Sequence, residues 1–417
     1  MKIVIIGAGP AGVTVAETLR QHDGEAEIVL ISSEPFPPYA PPALIEYFLT
    51  GQEAHFWKGK DFPERLGLDY RPGTRVVAVL PEERTIRLAD GETPPYDRLV
   101  LATGSRLYAP VEGADKPGVY NFKSLTAAEA LVQEVREGRA RSALIVGAGF
   151  IGVEIALLLR EMGLEVTQVE MTDRVMPRML DAETAEIALG MMQERGVDVR
   201  LNTKAVAFLG EPQAEAVELA SGEVLAADLL IAATGVKPNI EFLEGSGIET
   251  DWGVLVDDHL RTNVPDIYAA GDVAEAMDRI TGERYVHAIF PNAVSQGRVV
   301  AYNLLGWDVS YEGADDMNSL KHLGLPIIAV GRCPELVEGE MEGEELRVRR
   351  DGLLRKIYLR DDRIVGFRLA GDIRAAGIYR SLMNKRVDVG PFKHLLLEPR
   401  FGLGHIYSLA GTVELLA

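Results

Sequence analysis

KIVIIGAGPAG (2–12) and ALIVGAGFIG (143–152) are two copies of one pattern, an apolar run that ends in a glycine turn and leads into an apolar helix. The helices are expected over Pro10–His22 and 150–162, and after each a second strand ends in an acid, Glu34 or Glu170. A β-α-β unit thus occurs twice. The chain is expected to be an α/β protein with parallel sheets and two nucleotide-binding domains. Strand-plus-glycine endings recur at RLVLATG (98–104), DLLIAATG (228–235) and VPDIYAAGD (264–272). The last of these follows the second unit, so the first domain is expected to be discontinuous, 1–109 with 240–312, and 110–239 to form the second. From 313 the character changes. Glu335, Glu338, Glu340, Glu342, Glu344 and Glu345 form an acidic loop, and RVRRDGLLRKIYLRDDRIVGFRLAG (347–371) then alternates as three antiparallel strands before a helix near 375–384. Residues 313–417 are expected to be a third, α+β domain.

Gly7-Ala8-Gly9-Pro10-Ala11-Gly12 has the spacing of a Rossmann-like dinucleotide loop. Gly7 permits the tight turn, Gly9 leaves no side chain where a pyrophosphate touches backbone, and Gly12 lets helix and strand pack closely. The helix N-terminus offers N–H groups and a partial positive charge to the anion. Glu34, beside Ser33, stands where a carboxylate accepts hydrogen bonds from adenosine ribose hydroxyls. Close packing alone can select such glycines, but strand, helix and acid all follow in order here. Gly147, Gly149, Phe150, Ile151 and Gly152 repeat the arrangement, with Glu170 as the acid and Gly235 ending a later strand of the same domain. Two loops imply two different dinucleotides. A carboxylate at Glu170 suits free ribose hydroxyls and repels a 2′-phosphate, which favours NADH over NADPH. Arg174 has two readings: it reaches toward a 2′-phosphate, or it pairs with Asp173 or Asp181.

At 417 residues the chain exceeds one ordinary core, which excludes a small binding module. No apolar run approaches the ~18 residues of a membrane-spanning helix. Lys and Arg total 43 against 63 Asp and Glu, and the resulting charge of -20 disfavours nucleic acid and anionic membranes as partners. The one cysteine, Cys333, excludes an intramolecular disulfide, a cysteine-built iron–sulfur or zinc site and a dithiol redox pair. The histidines (His22, His55, His259, His287, His322, His394 and His405) show no metal-ligand spacing, and no metal is expected. The chain opens on Lys2–Ile6 without a basic start and cleavage-site pattern, so a cytoplasmic protein is expected.

The succession GAGPAG, ATGS, GAGFIGVE, ATGVKPN, AAGD resembles the FAD-dependent pyridine nucleotide oxidoreductases with two dinucleotide-binding domains, which include disulfide reductases and NADH oxidases. Within them, PNAVSQGRVVAYNLLG (291–306) and SLKHLGLPIIAVG (319–331) look most like the reductase portion of the NAD(P)H-nitrite reductase large subunit, with rubredoxin reductases close behind. The resemblance implies FAD on the first loop and NAD(H) on the second. It implies that Asp272, after Gly271, binds the ribityl chain, that Ala102, Thr103 and Gly104 close over the first domain, and that Val76 meets adenine through its backbone. Val76 reads equally as a buried strand valine. Pro291 and Asn292 are implied to start a helix beneath the isoalloxazine ring. Glu154 would face the nicotinamide; its other reading is a first-turn glutamate complementing the helix dipole. Glu154, Pro41 and Pro291 are the positions placed nearest the hydride transfer.

The stretch FPPYAPPALI (36–45) contains no sulfur, where thiol-dependent members of the family carry cysteine. Ala40 replaces a basic residue, and the helix that follows contains no lysine to pair with Glu154. Dithiol transfer is therefore excluded. What remains is hydride transfer from NADH to FAD and release of electrons to an external acceptor, a ferredoxin- or rubredoxin-like protein or a partner reductase subunit. The alternatives are an NADH oxidase that reduces oxygen and an NADH-sensing flavoprotein. Residues 346–400 carry 14 Lys or Arg against 6 Asp or Glu, which reads either as a docking face for an acidic carrier or as a solvated sheet face paired with the acidic loop. A homodimer through the third domain is a further expectation.

Overall fold

Ile3, Val4, Ile5 and Ile6 are buried whichever way their side chains point, as in a strand with helices over both faces. Lys2–Ile6 is accordingly the central strand of a five-stranded sheet, ordered Ile267–Ala269, Arg98–Leu101, Lys2–Ile6, Glu27–Ile31, Asp69–Arg71. All four pairings are parallel, with Ile3 opposite Ile28 on one side and Arg98 on the other. The late strand Ile267–Ala269 closes one edge, so the sheet draws on widely separated parts of the chain. The computed structural model describes all residues except 54, 280–281, 321–323, 325, 337–342, 351, 403 and 405–417. Glu338, Glu340, Glu342, His322 and His405 thus lie outside the described residues.

The chain divides into two compact units. The first comprises Met1–Pro110, Pro117–Ala140 and Ile231–Asp315. Its helix Pro10–His22 begins on a proline whose missing N–H costs nothing at that position. The helix Phe290–Leu304 crosses it closely, since a Cβ on Gly297 would come within 2.6 Å of the Ala11 carbonyl oxygen. The same unit also holds two antiparallel pairs, Val76–Leu80 with Thr85–Leu88 and Ser105–Tyr108 with Gly235–Pro238, and a three-stranded sheet of Val254–Leu255, Ala274–Met277 and Arg284–Tyr285.

The second unit comprises Val111–Lys116, Arg141–Leu230 and Asp316–Ala417. Val197–Arg200, Glu165–Val169 and Ser142–Val146 run parallel, followed in the same sheet by Leu229–Ala232, within which the chain leaves the unit. A five-stranded antiparallel sheet, ordered Met317–Leu320, Ile327–Gly331, Arg363–Ala370, Leu353–Arg360, Glu344–Arg350, carries the helix Ala376–Asn384. Three of these strands were expected. Ile327–Gly331 joins them as a core strand, buried from Ile327 to Val330, and so shows no alternation to read.

Part of the local excess of positive charge is paired inside the unit, while Arg350, Arg360 and Arg363 are exposed. Lys356 is 5% exposed and reaches Asp181 at 2.8 Å and Glu183 at 3.1 Å, while Arg347 and Arg349 also pair with Glu183. Arg355 meets Asp372, and Arg368 donates to the carbonyls of Val330 and Gly331. The partners of Arg347, Arg349 and Lys356 come from the start of the helix Ala182–Glu194, Arg347 and Arg349 remaining half exposed, and Lys393 pairs with Glu344 of the acidic stretch. Among the described residues, no helix is long and apolar enough to cross a membrane.

Candidate functional site

The three glycines of the first loop do different work. Gly7 has φ +113°, and a Cβ there would lie 2.0 Å from the Ala102 carbonyl oxygen; one on Gly12 would lie 2.0 Å from the Gly7 carbonyl oxygen. Both are glycines for the fold. A Cβ on Gly9 would meet nothing within 4 Å, so Gly9 fronts open space, and no side chain caps the helix that starts after it at Pro10 and Ala11. A cradle of bare backbone at the positive end of a helix fits a pyrophosphate. Gly271, at φ +81°, would bring a Cβ to 3.0 Å from that of Ala11, and its N–H donates to Gln296 at 2.7 Å.

Around this loop the side chains are already partnered. Ser33 is exposed at the strand end. The Glu34 carboxylate accepts from the Tyr39 hydroxyl, and from the Thr126 N–H at 2.9 Å and hydroxyl at 2.8 Å. Burial pushes the Tyr39 hydroxyl far above its usual range, with the Glu34 charge adding to it, so Tyr39 is a standing donor. Asp272 accepts from Ser105 at 2.8 Å and forms an ion pair with Lys123 at 2.8 Å, the two side chains being 18% and 14% exposed. Thr103 and Gly104 are clasped to Asn239, beside the buried Ala102. Asn292 spends its amide on the Asp315 backbone, a brace for the start of the Phe290–Leu304 helix, where Pro291 stands. Val76 is a buried strand residue, and Pro41 opens a short 3-10 turn after Ala40. Sequence reasoning passed over Tyr39, Thr126 and Lys123. Only the tyrosine, in the stretch just after Glu34, left any signal.

The second loop repeats the cradle in the second unit. Gly147 has φ +102°, Gly149 fronts open space, and the helix Phe150–Glu161 has no side-chain cap. Glu170 is buried; its Oε2 accepts from the Ala148 N–H at 2.8 Å and its Oε1 from the Thr172 N–H at 3.0 Å. Arg174 donates to Asp173 at 3.0 Å and to Glu335 at 2.8 Å. Asp181, the other partner considered for it, is instead taken by Lys356. Phe150 and Ile151 open the helix half-buried, and Glu154 follows as its fifth residue, half-buried and beyond the first turn. That place weakens its reading as a dipole-complementing group. Gly235 lies in the first unit, paired with Tyr108, not among the second unit's strands.

His55 is buried among Tyr39, Tyr47 and Phe56, and His287 Nε2 stands 3.1 Å from Asp278. Asp257, Asp258 and His259 bring ligand-type atoms within 4.8 Å of one another, a grouping that the sequence spacing did not suggest. The His259 ring nitrogens are taken by Asp258 and Asp308. Cys333 is buried against the Tyr358 hydroxyl.

The profile of the family described as pyridine nucleotide-disulphide oxidoreductase matches residues 1–297. The NADH oxidase of Methanocaldococcus jannaschii is 31% identical, over 90% of this chain and 89% of that protein. The rubredoxin-NAD(+) reductase of Pseudomonas putida is 33% identical over 73% of this chain and 80% of its own length. The nitrite reductase [NAD(P)H] of Bacillus subtilis is 27% identical over 95% of this chain, which spans only 49% of that larger protein. Among solved structures, the covalent putidaredoxin reductase–putidaredoxin complex superposes with a TM-score of 0.84 at 27% identity, covering 99% of each chain. The resemblance to nitrite and rubredoxin reductases is thereby shown, and so is the α/β architecture. The chain belongs to the pyridine nucleotide-disulphide oxidoreductase family and is an oxidoreductase of that kind.

Proposed function

We propose that the chain is an FAD-dependent NADH:acceptor oxidoreductase that draws a hydride from NADH and passes electrons to an external one-electron carrier, a ferredoxin- or rubredoxin-like protein or a partner reductase subunit, with no thiol intermediate. One observation carries this reading. Each unit holds a glycine loop whose second glycine fronts open space before an uncapped helix, with a carboxylate fixed at the neighbouring strand end, while residues 36–45 contain no sulfur. The division into an FAD domain (1–109, 240–312), an NAD(H) domain (110–239) and a third domain (313–417) belongs to the same reading. It is supported by the presence of one parallel sheet in each unit.

FAD, when bound, supplies a ring that takes two electrons together and releases them singly. The chain's residues hold and orient. Gly9 and the Pro10–His22 helix receive the pyrophosphate, Glu34 the ribose and Asp272 the ribityl hydroxyls, with Lys123 fixing the Asp272 carboxylate. Pro41 and Pro291 border the ring, and Glu154 orients the nicotinamide. Glu170, immobilised by Ala148 and Thr172, favours NADH over NADPH. The cytoplasm, where NADH is supplied, is the compartment that fits. Domains placed like 313–417 form the dimer interface in the wider superfamily, which supports a homodimer.

Without air, NADH should bleach the visible flavin band of the FAD-loaded protein within milliseconds to seconds. A small iron–sulfur protein should then restore the band faster than air does. Bleaching over many minutes would instead favour a sensor. The second reading, an NADH oxidase, is favoured by the Methanocaldococcus jannaschii relative of that name; it gains if air alone restores the band as fast as any carrier.

A further inference from the structure

We propose that Glu335 sets the nucleotide selectivity of the second loop, by holding Arg174 away from the ribose 2′ position so that only an unphosphorylated ribose is well received. The inference rests on the reading that this loop takes the adenosine half of a nicotinamide dinucleotide. The acid that recognises the ribose, Glu170, is fixed, and Arg174 is its near neighbour: the Thr172 hydroxyl lies 3.0 Å from both Glu170 Oε1 and the Arg174 carbonyl oxygen. A guanidinium free to turn inward would offer a 2′-phosphate a two-pronged, charge-assisted partner and offset the Glu170 charge.

Arg174 is not free to turn. Its side chain is 23% exposed, and its Nη1 donates to Glu335 Oε2 at 2.8 Å. The same oxygen accepts the Ala182 N–H at 2.9 Å, at the start of the helix Ala182–Glu194, so Glu335 is anchored before it meets the arginine. The other partner, Asp173, is 66% exposed and is a weak restraint by itself. With Glu335 in place, a 2′-phosphate faces carboxylates at Glu170, Asp173 and Glu335 and no available cation among them.

The test is calorimetric binding of 5′-AMP and 2′,5′-ADP to the full chain with FAD saturating, which needs no turnover. The wild type should bind 5′-AMP the more tightly, by about tenfold. Glu335→Gln should tighten 2′,5′-ADP about tenfold and leave 5′-AMP within about twofold, and adding Arg174→Ala should cancel the gain. Arg174→Ala alone, which leaves the Ala182 bond intact and so does not depend on the folding of the Glu335 variant, should weaken 2′,5′-ADP less than about twofold. Four results would overturn the proposal: equal affinities in the wild type, no binding of either nucleotide, no gain in Glu335→Gln, or a gain that survives the loss of Arg174. Selective 5′-AMP binding in a protein whose flavin NADH does not bleach would remove the oxidoreductase reading and leave the Glu335–Arg174 latch standing.

Discussion

Gly9 and Gly12 are three residues apart, yet a methyl group would meet open space at the first and a backbone oxygen at 2.0 Å at the second. Gly9→Ala should therefore cost the apoprotein no more than about 1 kcal/mol, the ordinary difference between glycine and alanine at a helix start. It should loosen FAD by more than about tenfold, because the new methyl occupies the space left for the pyrophosphate. Gly12→Ala should cost about 3 kcal/mol in stability before any cofactor is added. Urea unfolding of the apoproteins, with FAD titrations followed by fluorescence, separates the two; equal stability losses would contradict these assignments. The need for glycine at Gly7 and Gly12 was legible because it is set by neighbours along the chain. Thr126 on Glu34, Lys123 on Asp272 and Glu335 on Arg174 were not, because a single polar residue far along the sequence carries no spacing that points to its partner.

At the scale of elements, the start of the helix Ala182–Glu194 ties the third segment of the chain to the second nucleotide segment within one unit. Burial works against the Asp181 charge, but hydrogen bonds from Lys356 and Thr184 outweigh it and hold its carboxyl below the usual range. The Arg347 guanidinium, against a smaller push from burial and with help from Lys356, holds Glu183 at about 2, below its ordinary 4.5. A depressed carboxyl contributes its full stability above pH 4.5 and loses it as pH falls toward 2. Glu183→Gln should be about 1 kcal/mol less stable than the parent at neutral pH, and the gap should close through that acid window. Urea unfolding of both proteins across the window measures it, and a gap that widens in acid would contradict the assignment. The helices over Pro10–His22 and from Phe150 were legible from a strand, a glycine turn and an apolar face. The count of bases in 346–400 did not reveal the partners of Lys356 and Arg347, because Asp181 and Glu183 lie far upstream in sequence and beside them in space.

For the whole molecule, the family follows from a match over residues 1–297, while no repeat or spacing in the sequence names an electron acceptor. Two strand–glycine turn–helix loops were legible because the same β-α-β unit is written twice. Residues 36–45 contain no sulfur, and the single cysteine is buried elsewhere against Tyr358. The flavin should then be the sole two-electron centre. Stepwise addition of NADH to the FAD-loaded protein without air tests this most directly. The account predicts that the visible flavin band is fully bleached by one NADH per FAD, and an endpoint at two, which requires a second two-electron group, would contradict it.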